Sequence, residues 1–318
     1  MPAEARALDT SRPTRTVGTG TPASCTSRAV VAAVARGEII TYDCGPDPVT
    51  IVLRATAKVR NTSARVVIDG GGKVTLSGGG VRRILYMNTC DREQVWTTSH
   101  CDDQPTPQLT VQNLTLANGN ATGQRTDGGG GGAIFVRGGR VRVVASRFVR
   151  NRCDPTGPDL GGAAIRVLDQ SRDRPVFIVN STFGGGAGQG GVCSNGGALS
   201  SIGVSWVMLN SVMTHNRAIG RGANPARAGA PGGGSGGAIY TDGNQFTVRI
   251  AGSVLQSNTA REGGGAVFFV SNDRTGTMRI ERSRLVGNPS AGFETRGFPG
   301  IFFLGARPPT VIASTLRR

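Results

Sequence analysis

Residues 131–151 read GGAIFVRGGRVRVVASRFVRN and form one complete copy of the repeat that decides the fold. The phrase that opens this copy returns down the chain, as GGAIF at 131–135, GGAAI at 161–165, GGALS at 196–200, GGAIY at 236–240, GGAVF at 264–268 and, in a degenerate form, PGIFF at 299–303. Consecutive copies begin 28 to 40 residues apart. This spacing is typical of a solenoid, in which each repeat buries its apolar face against its neighbours.

A second phrase follows each GGA phrase and is anchored by a serine. The serines of the six copies are Ser146, Ser181, Ser211, Ser253, Ser283 and Ser314. Apolar residues stand five and three residues before each serine, with Pro309 as the exception in the last copy, and two residues after it. Five residues after the serine stand Asn151, Asn216, Asn258 and Asn288, with Gly186 in that place in the second copy. The pattern lacks the 3.6-residue period of a helix and predicts strands that turn a corner at the serine.

Each repeat therefore predicts three short strands, one after GGA, one ending at the serine and one running to the asparagine. Strands of successive repeats can pair only in parallel, which stacks the coils about 4.8 Å apart. Serine and asparagine satisfy turn backbone groups, and glycine supplies positive φ and close approach. A phosphate-binding loop is disfavoured, because no helix follows any of these glycines. We predict an all-β fold, a single-stranded right-handed parallel β-helix.

One segment near the N-terminus predicts a helix. In TSRAVVAAVAR (26–36), Thr26 or Ser27 can serve as the N-cap, and Gly37 ends the helix. Its apolar face consists of Val30, Val31 and Val34. A short amphipathic helix at this place plugs the open end of a coil, as the terminal repeats of solenoids require.

These features give the domain organisation. We expect residues 1–24 to be a flexible tail without the apolar region of a signal peptide. Residues 25–318 then form the β-helix, with the cap helix at 26–37 and the clearest repeats at 108–318. The last repeat ends in a strand with an open pairing edge, so either the native chain continues or something covers that edge.

The cysteines predict disulfides. They are Cys25, Cys44, Cys90, Cys101, Cys153 and Cys193. An even number without a CxxC or Cys/His spacing favours three disulfides over a zinc site. The sequence leaves the pairing open, and we expect sequential pairing (Cys25–Cys44, Cys90–Cys101 and Cys153–Cys193) because it closes local loops. Disulfides indicate an oxidising compartment, so we expect an extracellular or cell-surface protein.

The chain is strongly basic, with a formal net charge of +16 from 36 basic and 20 acidic residues. Only Lys58 and Lys73 are lysine. An excess of arginine is also what the codon usage of a GC-rich genome produces. Its functional interpretation is attraction to a polyanion, such as an anionic polysaccharide or another cell-envelope polymer. Nucleic acid is disfavoured because aromatic residues are scarce, at 5% of the chain. No apolar run reaches the length of a transmembrane segment.

The GGAI phrases and FVRN at 148–151 resemble the repeats of the polymorphic membrane protein family of autotransporters, which are defined by GGA[ILV] and FxxN tetrapeptides on a right-handed parallel β-helix. VVIDGGGKVTLSGG (66–79) is similar to the opening of secreted pectate-lyase-superfamily proteins. This resemblance implies the fold. It leaves the function open, because the members include adhesins, lyases, hydrolases and passive surface proteins.

The catalytic motifs of these relatives are absent. Polygalacturonase-like hydrolases carry NTD, DD, GHG and RIK motifs, and of these only the pair Asp102-Asp103 occurs, beside Cys101. The WIDH motif of pectate lyases is missing too. A lyase needs less, namely a base and a cation that stabilises the developing charge. The resemblance implies an arginine or lysine base and acidic residues that hold Ca²⁺.

One set of loops carries residues of this kind. LDQSRDR (168–174), TDGN (241–244) and SNDR (271–274) each follow a GGA strand, and the coil register predicts that Asp173, Asp242 and Asp273 lie near one another. Their oxygen atoms suit Ca²⁺. We expect no cofactor apart from a Ca²⁺ ion held by this set. The alternative interpretation is that they are ordinary turn residues. The binding residues of this hypothesis are the three aspartates and Arg166, and the bases of a lyase are Arg174 and Arg274.

A second set of loops precedes the GGA phrases and varies in length. The longest is RAIGRGANPARAGAPGGGS (217–235). Insertions on one side of a solenoid often build its binding face. We therefore expect a secreted or cell-surface protein that binds anionic glycan or envelope material without catalysis. The alternative is a Ca²⁺-dependent lyase of uronate-containing polysaccharide, and the oligomeric state stays open.

Overall fold

A computed structural model describes residues 1–222 and 228–318 of the chain and shows a parallel β-helix. The predicted fold is confirmed. Every strand pair between successive coils is parallel, and each full coil contributes one strand to each of three sheets. Residues 223–227 of the long loop predicted to join a binding face lie outside the described residues.

The sheets are named after the sequence phrases that form them. Within the described residues the GGA sheet consists of Ala57–Lys58, Leu85–Asn88, Ile134–Arg137, Ile165–Val167, Leu199–Ile202, Ile239–Gly243, Val267–Ser271 and Ile301–Leu304. The strands that lead to the serines form the serine sheet, which consists of Arg15–Val17, Glu38–Tyr42, Arg65–Asp69, Gln108–Gln112, Arg140–Val144, Val176–Val179, Trp206–Leu209, Thr247–Ala251, Thr277–Glu281 and Thr310–Ile312.

The strands after the serines form the asparagine sheet, which consists of Val49–Val52, Val74–Ser77, Thr115–Ala117, Arg147–Val149, Thr182–Phe183, Val212–Thr214, Val254–Gln256, Arg284–Val286 and Thr315–Arg317. A small corner sheet follows it, with strands Val192–Cys193, Arg217–Ala218 and Thr259–Ala260. Short 3-10 helices lie at Ala3–Ala5, Pro22–Ser24, Arg92–Gln94, Cys101–Asp103 and Ser171–Asp173.

The serine ladder holds the first corner of the coil together. The backbone N–H of Ser146 donates to the hydroxyl of Ser181 in the next coil at 3.1 Å, and the same contact continues through the later serines to Ser314. Each of these hydroxyls donates in turn to the carbonyl two residues before it. The corner is therefore hydrogen-bonded along the axis of the coil, as a buried turn requires.

The asparagine ladder holds the second corner and corrects one prediction. The Asn216 amide donates to the Asn258 side chain at 2.9 Å, and Asn258 donates to Asn288 at the same distance. In the second repeat the ladder position belongs to Gly191, whose N–H donates to Asn216 at 2.9 Å. Gly186 does not occupy it, because residues between the strand Thr182–Phe183 and Gly191 leave the coil as an insertion that a fixed count of five cannot detect.

The glycine phrases set the third corner, with a corrected register in two copies. Gly131 takes a φ of +65°, and a side chain on Gly132 would clash with the Arg152 carbonyl, so both positions require glycine. Ile134 pairs with Ile165, and Val267 pairs with Ile301. The copies at 161–165 and 299–303 are therefore offset by one residue from the phrase, because pairing follows the buried aliphatic residue.

The cap helix is confirmed at Ser27–Arg36. The Thr26 hydroxyl accepts a hydrogen bond from the Ala29 N–H at 3.2 Å, and Gly37 ends the helix with a φ of +73°. Val30, Ala33 and Val34 bury against the end of the core. The three disulfides join the cysteines in the predicted sequential pairs.

The first 24 residues differ from the expected flexible tail. Strand Arg15–Val17 pairs with Glu38–Tyr42 at the edge of the serine sheet. Further upstream, Ala5 is buried against Val144, Phe177 and Val179 on the outer face of that sheet. The segment packs on the coil because outward-facing apolar residues there need cover from water.

Candidate functional site

Two of the three predicted cation ligands serve as turn residues. Asp242 accepts hydrogen bonds from the Tyr240 hydroxyl at 3.1 Å and the Asn272 amide at 3.1 Å. Asp273 accepts from the Ser271 hydroxyl at 2.7 Å and from Thr275, and these hydrogen bonds lower the pKa of Asp273 to about 2. Their oxygens are thus largely occupied by the turns that hold them.

The structure does not gather the three aspartates around one ion. Asp173 lines a cavity of about 260 Å³ together with Asp102, Asp103 and Asp169, and neither Asp242 nor Asp273 lines that cavity. Among the described residues, the three-residue group of His, Cys, Asp and Glu whose ligand atoms lie within 4.8 Å of one another is Cys90, Cys101 and Asp102. Cys90 and Cys101 are joined in a disulfide, so their sulfurs are not thiolate ligands.

The predicted lyase bases also lie apart. The Arg174 guanidinium is held by Glu4 of the N-terminal segment at 2.7 Å and lines the cavity of Asp173. Arg274 is exposed in the turn that follows strand Val267–Ser271 in a later coil. Arg174 is therefore engaged by Glu4 three coils away from Asp273, whereas Arg274 directly follows Asp273 in the same exposed turn.

Arg166 is the predicted binding residue that lies with Asp242. Its side chain is 2% exposed, its Nη1 donates to the Ser200 hydroxyl at 2.6 Å, and its Nε has no hydrogen-bond partner among the described residues. Burial lowers the pKa of Arg166 to about 10, and the side chains of Tyr240, Asp159 and Asp242 offset only part of that lowering. A ligand reaches this guanidinium only if the covering residues move.

Arg166 belongs to a row of side chains on the outer face of the GGA sheet. The strand register places these residues side by side from coil to coil, in the order Lys58, Tyr86, Phe135, Arg166, Ser200, Tyr240, Phe268 and Phe302. The preceding residue of each strand from Leu85 onward is aliphatic and points into the core. The row is buried from Tyr86 to Phe268. Phe302 is half-exposed at its C-terminal end, and Lys58 is half-exposed at its N-terminal end.

At that end the row borders a cavity of about 440 Å³, which we call the Tyr86 cavity. Its charged and aromatic wall is formed by Lys58 and Tyr86 of the sheet, Arg83 before the strand, and three acidic residues from two loops, Asp91, Glu93 and Asp127. Aromatic, cationic and anionic groups therefore converge on one concave surface. Such a convergence of polar groups is typical of a ligand site.

A hydrogen-bond network holds the polar side chains of the Tyr86 cavity. The Tyr86 hydroxyl donates to the Asp91 carboxylate at 3.1 Å. The Asn88 amide donates to the Tyr86 oxygen at 3.0 Å and to Asp127 at 3.2 Å. Burial, reinforced by the charges of Asp127 and Asp91, raises the pKa of Tyr86, so the phenol stays protonated and able to donate.

Arg83 forms the cationic floor of the cavity. Its Nε and Nη2 donate to the carbonyls of Gly131 and Gly130 at 3.1 and 2.8 Å, and its guanidinium lies over the rings of Tyr86 and Phe135. Burial lowers the pKa of Arg83 to about 10. The remaining nitrogen, Nη1, makes no hydrogen bond within the parts of the chain that the structure describes. One donor of a fixed cation is thus free for a ligand.

The loop that carries Asp91 is closed by the Cys90–Cys101 disulfide and exposes an aromatic residue. Trp96 is 47% exposed, and its carbonyl accepts a hydrogen bond from the buried Asn61 amide at 2.5 Å. The loop is therefore fixed at its backbone while the indole faces solvent. An exposed indole on a fixed loop is a rigid stacking surface.

A second polar group, the Arg137 cluster, consists of Asp102, Arg137 and Asp169. Arg137 follows Asn88 in the sheet register, and its Nε lies 2.9 Å from Asp102 and 3.6 Å from Asp169. Burial, together with the charge of Asp102, raises the pKa of Asp169 to about 6. The Asp102-Asp103 pair of the sequence is therefore joined to the loop LDQSRDR, which the coil register alone did not predict.

Sequence reasoning missed the residues of the Tyr86 cavity. Arg83 and Tyr86 lie in RRILYM (82–87), a run that indicates a strand, and Asp127 lies in a glycine-rich stretch typical of a turn. The available signal was the outward position of Tyr86, since its neighbours Leu85 and Met87 are the inward ones.

Comparison with known proteins identifies no family for this chain. No family model and no curated protein matches the chain. Among solved structures the chain is similar to PfbA, a surface adhesin of Streptococcus pneumoniae, at 12% identity and a TM-score of 0.37, over 90% of this chain and 80% of that one. A likeness at this TM-score supports no conclusion about function. None of the helices in the described residues has the length and hydrophobicity needed to span a membrane.

Proposed function

We propose that this protein is a secreted or cell-surface β-helix protein that binds an anionic glycan at the Tyr86 cavity. The observation that carries the proposal is the cavity itself, where a free Arg83 nitrogen and Lys58 lie beside the Tyr86 ring and three carboxylates. Lys58 lies 3.8 Å from one of them, Glu93, in an exposed ion pair that a ligand carboxylate can replace. The three disulfides support an extracellular or surface location, because such bonds persist in oxidising compartments.

The groups of the cavity match the chemistry of a uronate-containing chain. Arg83 and Lys58 offer charge-assisted hydrogen bonds to a sugar carboxylate. Asp91 and Asp127 offer acceptors for sugar hydroxyls, and their position opposite the cations orients the bound ring. Trp96, on the same loop as Asp91, offers an apolar face to an adjoining sugar. These contacts bind the glycan without breaking a covalent bond in it, so we propose a non-catalytic function.

The test uses the two lysines of the chain as a matched pair. Lys58 lines the cavity, whereas Lys73 lies outside it and donates to the Pro46 carbonyl at 2.7 Å. Isothermal titration with polygalacturonate, alginate and neutral dextran measures binding. We expect Lys58→Ala to weaken binding of the uronate polymers about tenfold, because the variant loses about one charge-assisted hydrogen bond to the polymer. Lys73→Ala should leave it unchanged, and equal losses in both variants would refute the site.

Arg83 also favours a second candidate function, the lysis of a uronate polysaccharide. In this reaction Arg83, in the wall of the cavity, first gives up its guanidinium proton to solvent, a loss that burial favours by lowering its pKa to about 10. The neutral guanidine then removes the proton α to the sugar carboxylate. The carbon–oxygen bond at the neighbouring carbon then breaks, a carbon–carbon double bond forms, and the Tyr86 hydroxyl supplies the proton for the leaving oxygen. Lys58 stabilises the charge on the carboxylate.

The ultraviolet absorbance of the unsaturated product separates the two functions. The protein is incubated with the same polysaccharides, with and without Ca²⁺. Turnover that Tyr86→Phe reduces at unchanged affinity would support the lyase and replace the binding-only proposal. Saturable binding without any rise in absorbance would support the binding protein.

A further inference from the structure

A groove lies at the N-terminal end of the coil, far along the axis from the later repeats. It has a volume of about 820 Å³ and runs between the cap helix Ser27–Arg36 and the strand Val49–Val52. It shares no lining residue with the Tyr86 cavity. A function of this groove is therefore independent of glycan binding.

One wall of the groove is the open edge of a β-sheet. Strand Val49–Val52 is the first strand of the asparagine sheet and pairs on one side with Val74–Ser77. The N–H groups of Val49 and Leu53 donate to that partner, at 3.0 and 2.8 Å. Because alternate residues of a strand direct their amides to opposite sides, the N–H and C=O groups of Thr50 and Val52 face away from it. Within residues 1–222 and 228–318 no strand pairs with this side.

The opposite wall is an apolar stripe of the cap helix. Val31, Ala32 and Ala35 lie on one helix face, next to the face of Val30 and Val34 that covers the core. Val31 is half-buried at the border and also packs against that core. Across the groove the Val52 side chain is 55% exposed. The groove thus combines unpaired backbone donors and acceptors with apolar surface on both sides.

The positive charge of the groove favours an acidic ligand. Arg28 of the helix and Arg54 after the strand line it, and no acidic residue does. Both arginines are exposed. An extended peptide that adds a strand to an open edge gains affinity from main-chain hydrogen bonds and specificity from side-chain contacts. Here the complementary side chains are apolar ones that alternate with carboxylates.

We propose that the groove is a docking site for an extended, acidic segment of a partner protein, which adds as a strand beside Val49–Val52. The segment forms main-chain hydrogen bonds with Thr50 and Val52. Its apolar side chains contact Val31, Ala35 and Val52, and its carboxylates pair with Arg28 and Arg54.

A fluorescein-labelled peptide of sequence EVTVEVTVE is the probe, and fluorescence anisotropy measures its binding to the full chain. We expect saturable binding that falls with added salt. A peptide of the same sequence with N-methylated amides on its bonding edge should not bind, because it cannot complete the ladder. Amide hydrogen exchange at Thr50 and Val52 should slow in the presence of the probe, which reports strand addition directly.

Charge reversal on the cap helix supplies the matched control. Arg28→Glu lies in the groove, whereas Arg36→Glu makes the same change at an exposed position of the same helix outside it. We expect Arg28→Glu to weaken probe binding at least about tenfold, as for the loss of a charge-assisted contact plus new repulsion, and Arg36→Glu to leave it nearly unchanged.

Three outcomes would overturn the proposal. The first is an equal effect of the two charge reversals on probe binding, and the second is binding of the N-methylated peptide. The third is that the probe does not bind while the chain self-associates, and that Arg28→Glu abolishes this self-association. The last outcome would assign the groove to a second copy of this chain.

Discussion

The guanidinium carbon of Arg83 lies 4.7 Å from the centre of the Phe135 ring, in the coil that follows. The contact joins the cation of the Tyr86 cavity to the outward row of the GGA sheet. It also explains how a nearly fully buried charge is tolerated, because two glycine carbonyls and two aromatic rings replace its water shell.

Loss of the Arg83 side chain should destabilise the fold. Arg83→Ala leaves the carbonyls of Gly130 and Gly131 without their donors and leaves a void under the Phe135 ring. We expect a loss of about 2–4 kcal/mol in the free energy of unfolding, measured by urea denaturation. Arg92→Ala, at an exposed position in the neighbouring loop, should change it by less than about 0.5 kcal/mol. A similar small change for both would show that the buried contacts of Arg83 do not support the coil.

The asparagine ladder should depend on each of its members. Asn258 donates to the Met213 carbonyl at 2.8 Å and to Asn288, and it accepts from Asn216. Asn258→Ala therefore leaves several buried groups unpaired, and we expect a loss of about 2–4 kcal/mol in unfolding free energy. Gln256→Ala, two residues away and exposed, is the control and should be nearly neutral. Equal denaturation midpoints of the two variants would contradict a cooperative ladder.

The Arg137 cluster predicts a pH dependence. Folding raises the pKa of Asp169 from 3.8 to about 6, mainly through burial and then through the charge of Asp102. The native state therefore binds this proton more tightly than the unfolded state, so the contribution of Asp169 to stability falls as the pH rises between these values.

Thermal melting of Asp169→Asn checks the sign of that dependence. The variant should melt close to the wild type at about pH 4.5, where the native Asp169 is protonated, and above the wild type at about pH 8, where the charge is crowded. Asp47→Asn, at an exposed position outside the cluster, is the control and should melt with the wild type at both pH values. A variant that melts lower than the wild type at the higher pH would contradict the prediction and show that the 3.6 Å contact with Arg137 outweighs burial.

The Cys90–Cys101 disulfide should matter for both stability and binding. It closes a loop with a sequence separation of 11, which contains Asp91 and Trp96. Replacing both cysteines by serine should cost about 2–3 kcal/mol in unfolding free energy. It should also weaken glycan binding, because the loop loses its fixed position.

The Cys153–Cys193 pair is the matched control for this effect. It lies at the corner that precedes the GGA strands, in a cluster with Ala121 and Ala163. Its double serine variant should lose stability but keep the affinity for glycan at temperatures well below its melting transition. Loss of affinity in both variants alike would mean that binding follows global stability, and the Tyr86 cavity would then have no special dependence on its loop.

Much of the architecture follows from short-range pattern. The serine and asparagine ladders, the cap helix with Thr26 at its N-terminus and the sequential disulfides are all confirmed, since each rests on residues within one repeat or on local loop closure. The errors lie where chain length between corners varies. Gly191 replaces Gly186 in the ladder because an insertion leaves the coil, and the copy at 161–165 shifts by one residue to keep Ile165 in the core.

The sequence by itself determined that this chain coils, because period-two apolar residues and corner residues recur in every repeat and can be buried in only one way. Only the tertiary structure decided which polar side chains meet. It separated Asp173 from Asp242 and Asp273, joined Asp102 to Asp169, and brought Arg83, Asp91 and Asp127 around Tyr86. The physical reason is that burial repeats from coil to coil, whereas the paths of the loops are set by their own hydrogen bonds, which no periodic pattern encodes.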